Sequence, residues 1–458
     1  MSGSEATPAA ADGGLAVAPL LQPMKLNHLM LANRMVMGPM AVTAPDREGR
    51  VTDQTLAFFE ARARGGVGMI IVGGAIGTQR GWDEAPFRPI LRMDRDEFLP
   101  GLRRLGDAMH ALGVPLIAEV STAFGRMGVP TADRPLISAS PLNVVIPESR
   151  FPRGLHVPGG RTTPMPQEAS VAEIQAYERE TVESSLRMQR AGWDGVELPA
   201  HMSYFLASFL APRTNWRADA YGGSVLNRAR MLANMVRAIR ERAGPRFVIG
   251  LRLVSSDQVE GGQSSEGYAA IAREVEAAGL DYVALSQGCY ETMNVGLSVR
   301  DGTIIEDGDA AAFRQAVSVP LLLPGLHDPV QAARAIAQGH GDLVMLARPL
   351  LADPEYPRKV VQGRVADIVR CERDNLCIRR LMFNMPVRCS VNPRMGLESK
   401  APGSLGDPKR LLAAPLEYAV LALTGSKTLM GLAGKLLRAR ATPPGPGPQE
   451  AVPPKNRT

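Results

Sequence analysis

Cysteine is scarce, with four in 458 residues, too few to staple a secreted scaffold. Three of the four, Cys371, Cys377 and Cys389, fall within 19 positions. They read as a local metal or redox device in a reduced compartment, the cytoplasm. No apolar run reaches the ~20 residues of a membrane-spanning helix. Aromatic residues make up only 5%, but 45% of the chain is hydrophobic and 21% charged, which excludes global disorder. Positive charge is sparse outside the end of the chain. Residues 401–458 hold eight Lys and Arg against three Asp and Glu, so most of the net +6 sits there and the rest is nearly neutral. That balance argues against a nucleic-acid binder. The first 20 residues carry Glu5 and Asp12 but no basic n-region, so no secretory signal is expected.

What is present sorts into five segments. Residues 1–20 are small, polar and Gly/Ala/Pro-rich and read as a disordered N-terminus, and residues 441–458 as a disordered Pro-rich tail. Between them lie a body over 21–365, a cysteine-containing loop segment over 366–400 and an amphipathic helical extension over 401–440. Within that extension the sequence predicts a Leu-rich helix with a basic end over residues 416–440. Such a helix packs on the body or on a second copy of the chain, or lies on a membrane surface.

The body contains eight short apolar runs that read as buried parallel strands. They are RMVMGPM from Arg34, GMIIVGG from Gly68, VPLIAEV from Val114, DGVEL from Asp194, RFVIGLRLV from Arg246, DYVALS from Asp281, VPLLLPG from Val319 and DLVMLA from Asp342. Helical patterns separate them, such as Arg95–Leu112, Ser170–Ala191, Leu226–Ala243 and Pro329–Ala337. Strands alternating with helices predict an α/β fold, a TIM (β/α)8 barrel with an insertion or two. No strand leads into G-x-G-x-x-G or a Walker loop, which argues against a doubly wound nucleotide-binding sheet. In a barrel, chemistry gathers where strands end. There Gly325 and the pair Ala347 and Arg348 are expected to offer a phosphate cradle of backbone N–H groups and one guanidinium.

The stretches LANRMVMGPM, FFEARARGGVGMIIVGG, AGWDGVEL, FLAPRTNWRADAYGGSVLNRARM, LVMLARPLLADPEYPRKV and VRCSVNPRMG together resemble the old yellow enzyme group of flavin-dependent barrels. The likeness is strongest to its iron–sulfur branch, which includes 2,4-dienoyl-CoA reductase and trimethylamine dehydrogenase. The resemblance implies FMN across the barrel mouth, its phosphate held near Gly325, Ala347 and Arg348. Pro39, Met40 and Ala41 would pass beneath the ring, with Gly73 and Gly74 close by. Arg252 would face the pyrimidine edge, where a fixed cation stabilises the anionic reduced flavin. Tyr204 matches a tyrosine that protonates the substrate carbon opposite the flavin.

Departures from the family pattern matter as much. Its carbonyl-holding His pair is Pro199 and Met202 here, with His201 one step out of register. Tyr290 takes the place of a histidine, Val120 that of a flavin-contacting glutamine beside Glu119, and Ala123 that of a second histidine. Cys371, Cys377 and Cys389 match three of four cluster cysteines, and Asp374 stands at the fourth position. These could hold a [4Fe–4S] or a [3Fe–4S] cluster. The 58 residues after Lys400 are too few for the further domain expected in the branch, so electrons would come from NAD(P)H or a separate electron-transfer protein. The leading expectation is an enzyme reducing an α,β-unsaturated carbonyl or enoyl small molecule by hydride transfer from flavin N5. A flavin dehydrogenase of an amine or alcohol, and a degenerate barrel serving as electron carrier or scaffold, stay open.

Overall fold

The computed structural model describes residues 11–42, 44–297, 300–401 and 408–438. Each predicted run contains one barrel strand. The strands are β1 (Met35–Met37), β2 (Met69–Val72), β3 (Leu116–Glu119), β4 (Gly195–Ala200), β5 (Val248–Val254), β6 (Tyr282–Ser286), β7 (Leu321–Leu323) and β8 (Leu343–Leu346). They pair in chain order, all parallel, and β8 pairs with β1 to close the ring. Seven helices follow the first seven strands: α2 (Asp53–Arg64), α3 (Leu99–His110), α4 (Val171–Arg190), α5 (Val225–Ala243), α6 (Ser265–Glu276), α7 (Asp309–Ala316) and α8 (Pro329–Ala337). Short helices after β8 complete the eighth unit. Local chemistry sets where these helices begin. Ser170 and Glu173 form a capping box on α4, and Asp328 accepts from two backbone N–H groups of α8, whose first residue is Pro329.

Strand alternation decides which side chains enter the barrel. On β3, Leu116 and Ala118 pack outward on the helices, whereas Ile117 packs inside with Val36, Met69, Ile71, Val248 and Tyr282. The same parity sends Glu119, Glu197 and Arg252 inward. Gly250 leaves room for the Tyr282 ring, since a Cβ there would lie 2.1 Å from Cζ. A hairpin, Met24–Leu26 with Leu29–Leu31, places Leu26, Leu29 and Leu31 against this inner layer and closes the N-terminal end of the barrel.

The ends differ from expectation. Part of the segment expected to be disordered forms helix α1 (Ala11–Leu21), which packs on α8 with Val17 and Leu20 buried. Residues 1–10 and the tail 441–458 lie outside the described residues. The helix expected over 416–440 is two helices, α10 (Pro408–Gly425) and α11 (Lys427–Arg438). Both follow α9 (Leu376–Met382) in the cysteine segment. α10 docks on that segment: Arg380 pairs with Glu417, Leu421 is buried, and His156 N–H donates to Thr424 O at 3.0 Å. Among the described residues no helix is long and apolar enough to cross a membrane.

Candidate active site

A cavity of about 350 Å³ opens at the C-terminal ends of the strands, where barrel chemistry is placed. Of the residues expected to hold flavin, it is lined by Pro39, Met40, Ala41, Gly74, Gly325, Ala347 and Arg348. Gly73 lies behind them, packed on Pro39 and Met40. Arg252 is buried just below, its Nη1 3.0 Å from Met345 Sδ, and Met345 lines the cavity. Arg252 Nε donates to Glu197 Oε1 at 2.7 Å, and Tyr282 donates to Glu197 Oε2 at 2.9 Å.

The inward position at the end of β3 is Glu119, not Val120. Val120 is fully buried among the helices and packs near Gly77, whereas Glu119 lines the cavity 3.2 Å from Arg252 Nε. The expectation that Val120 replaces the flavin-contacting glutamine is therefore corrected by strand parity. Ala123 is likewise buried in the core and does not line the cavity. Burial pushes the Glu119 carboxyl up to about 7, against the pull of Arg252 and with reinforcement from Glu197. His201 shares the inward parity of Glu197 and Pro199 and reaches the cavity, its Nε2 3.8 Å from Glu119 Oε1. Burial, and then Arg252, hold its imidazole well below the usual histidine range, so it is neutral.

The residues present fit a flavin mononucleotide. Glu119 Oε1 and His201 Nδ1 are buried without hydrogen-bond partners in the protein at the floor of the cavity. On the phosphate side, Gly325 has φ +73° with open space where a Cβ would stand, and His327 Nδ1 is also unpartnered. Arg348 is steadied there by Asn375, which takes its Nη1 at 3.1 Å.

Tyr204 and Tyr290 meet over this floor, their hydroxyls 3.0 Å apart. Burial raises both phenols, and the contact with Tyr290 raises Tyr204 further, well above 10.0. Their placement depends on residues that sequence reasoning missed. Met202 and Ser203 are consecutive left-handed residues, φ 53° and 59°, a conformation costing ~1–3 kcal/mol each for non-glycine residues. Ser203 Oγ donates to Glu291 Oε2 at 2.9 Å and accepts from Tyr290 N–H at 3.2 Å. Glu291 Oε1 takes Arg126 at 2.6 Å and Arg213 at 3.4 Å. Burial opposes ionisation of Glu291, but the two arginines outweigh it and hold the carboxyl at about 2. Phe87, Ile90, Phe124 and Leu297 make the cavity wall apolar. Edge-to-face contacts run from Phe87 through Phe124 and Tyr204 to Tyr290.

The cysteine segment borders the same cavity through Arg373, Cys377, Ile378 and Leu381. Cys371, Cys377 and Cys389 are near enough to influence one another, and Arg348 feels both Cys371 and Cys377. Burial pushes the Cys377 thiol up to about 12. Asp374 Oδ1 accepts from Leu376 N–H at the start of α9. Among the described residues no three His, Cys, Asp or Glu side chains converge to hold a metal. Cys289 is an ordinary buried thiol beside Thr292.

The chain is similar to several known proteins. The NADH oxidase of Thermoanaerobacter brockii is 32% identical over 382 residues, 82% of this chain and 56% of that protein. The metal reductase of Desulforamulus reducens is 32% identical over 447 residues, 93% of this chain and 63% of that protein. The chain thus spans less than two thirds of either. Among solved structures, a 2-naphthoyl-CoA reductase in complex with 2-naphthoyl-CoA superposes with a TM-score of 0.73 at 28% identity, covering 84% of this chain and 58% of that one. A family model matches residues 19–367, the whole barrel, and with it the chain belongs to the NADH:flavin oxidoreductase / NADH oxidase family.

Proposed function

We propose that this protein is an FMN-dependent reductase of activated carbon–carbon double bonds, acting on an apolar or aromatic α,β-unsaturated carbonyl or enoyl compound. The observation that carries the reading is the Tyr204–Tyr290 hydroxyl pair, 3.0 Å apart on the wall of an apolar cavity whose floor is edged by Arg252, Glu119 and His201. Reduction of such a double bond leaves a basic α-carbon that must collect one proton. A phenol held protonated far above neutrality gives that proton without losing it to solvent beforehand, and Tyr290 holds its hydroxyl in place. FMN, when bound, supplies the hydride. Pro39, Met40, Ala41 and Gly74 are the residues to hold its ring, and Gly325, His327, Ala347 and Arg348 its phosphate. Neutral His201 can donate to a carbonyl, in place of the missing pair. Phe87, Phe124 and Leu297 exclude water from the reacting carbon. The family favours NAD(P)H as the electron source. An iron–sulfur centre at Cys371, Cys377 and Cys389, with Asp374 as fourth group and a separate protein as donor, is supported by its soft-sulfur donor set alone.

The test is an anaerobic one. Protein loaded with FMN and reduced in D2O is mixed with an aryl-substituted enone or enoyl thioester. Flavin absorbance should return and the product should carry one deuterium at the α-carbon. Stable reduced flavin with every such acceptor, or a product without α-deuterium, would overturn the reading.

A further inference from the structure

Arg252 is faced by one carboxylate more than its charge can balance. Glu197 is its settled partner, fully buried and bound by both Arg252 Nε and the Tyr282 hydroxyl. Glu119 stands beside Glu197 in strand register, 3.2 Å from the same Nε, yet its Oε1 accepts no hydrogen bond. The remaining titratable groups facing it bring no charge. His201 across the mouth is held neutral, and Tyr204 and Tyr282 are held protonated. With both carboxylates ionised the cluster carries one surplus negative charge, and one proton cancels it.

The geometry points to Glu119 as the proton-linked partner of the flavin: when bound FMN is reduced, the Glu119 carboxylate takes a proton from solvent, and it returns that proton when the flavin is reoxidised. This rests on FMN occupying the cavity and not on which substrate follows. The balance is simple. NAD(P)H gives up two electrons and one proton as hydride and becomes NAD(P)+, and the flavin becomes its reduced anion. A second proton, from water or buffer, forms one O–H bond on Glu119, and no other bond changes. The cause is electrostatic. A new negative charge beside a carboxylate that is buried and already in surplus favours that carboxylate's neutral form. Glu119 stands poised for the change, since burial already brings it near neutrality.

The experiment is a titration of the full chain loaded with FMN, its midpoint potential read against reference dyes as a function of pH. One proton per two electrons changes the equilibrium tenfold per pH unit, about 30 mV for a two-electron couple. Above about pH 7, wild-type protein should take up two protons per two electrons, twice that slope, and Glu119→Gln only one. A one-proton slope in wild type, or equal slopes in both proteins, would overturn the inference while leaving the reductase reading intact. If Glu119→Gln fails to retain flavin, the redox infrared difference spectrum of wild type decides. A protonated-carboxyl band should appear on reduction and shift in D2O, and its absence would overturn the inference. Wild type that retains no FMN overturns this inference and the proposed function together.

Discussion

Tyr204 is the residue whose removal should separate chemistry from binding. Tyr204→Phe keeps the ring contacts with Phe124 and His201 and loses only the hydroxyl. Turnover should fall ~10²–10⁴-fold, the usual worth of a positioned general acid, with flavin content unchanged by absorbance. Because Tyr204 is shifted well above 10.0, proton donation should show no alkaline decline up to pH 10 in the wild type. Asp374 offers a second residue-scale test. If the cysteine segment holds iron, Asp374→Cys should retain more iron and sulfide after gel filtration, since thiolate replaces a hard oxygen ligand. Equal metal content would leave Asp374 only its bond to Leu376 N–H at the start of α9. At this scale legibility was uneven. Tyr204 and Tyr290 are marked by the resemblance and Arg348 by its place after β8, and all three line the cavity. Glu119 was missed because matching by family pattern slipped one residue, although the alternation Ile117, Glu119 already pointed it inward.

Between elements, the loops after β3, β4 and β6 are tied by one clamp of Arg126, Ser203, Arg213 and Glu291. This clamp holds the left-handed turn that presents Tyr204. Glu291→Ala leaves Arg126, whose side chain is 2% exposed, as an uncompensated buried charge. The cost should be ~3–5 kcal/mol, seen as a lower denaturant midpoint. The folded carboxyl sits at about 2, below its ordinary 4.5. Its contribution to stability is therefore complete above 4.5 and is lost only as acid carries the pH down towards 2. A stability curve already falling at neutral pH owing to Glu291 would contradict this. No spacing in the sequence announces the clamp, because its members come from three separate loops. The eight strands were legible for the opposite reason: each is a short apolar run bounded by Gly, Pro or Asp. Helix α1 was hidden by its Gly/Ala/Pro-rich composition, and only burial of Val17 and Leu20 on α8 accounts for it.

Over the whole molecule, the basic residues near the end of the chain fall largely on α11 and beyond, while α10 braces the cysteine segment that borders the cavity. The barrel itself has one open end, because the Met24–Leu31 hairpin fills the other. Among the described residues a separate pocket lined by Arg126 and Ser203 offers about 20 Å³, against about 350 Å³ at the open mouth. On the proposed function with NAD(P)H as donor, electron donor and electron acceptor enter by this one mouth, and the first must depart before the second can enter. Steady-state rates measured at several fixed donor concentrations should give parallel double-reciprocal lines, and each reactant in excess should compete with the other. Intersecting lines would mean that both molecules are aboard at once and would contradict this order of events.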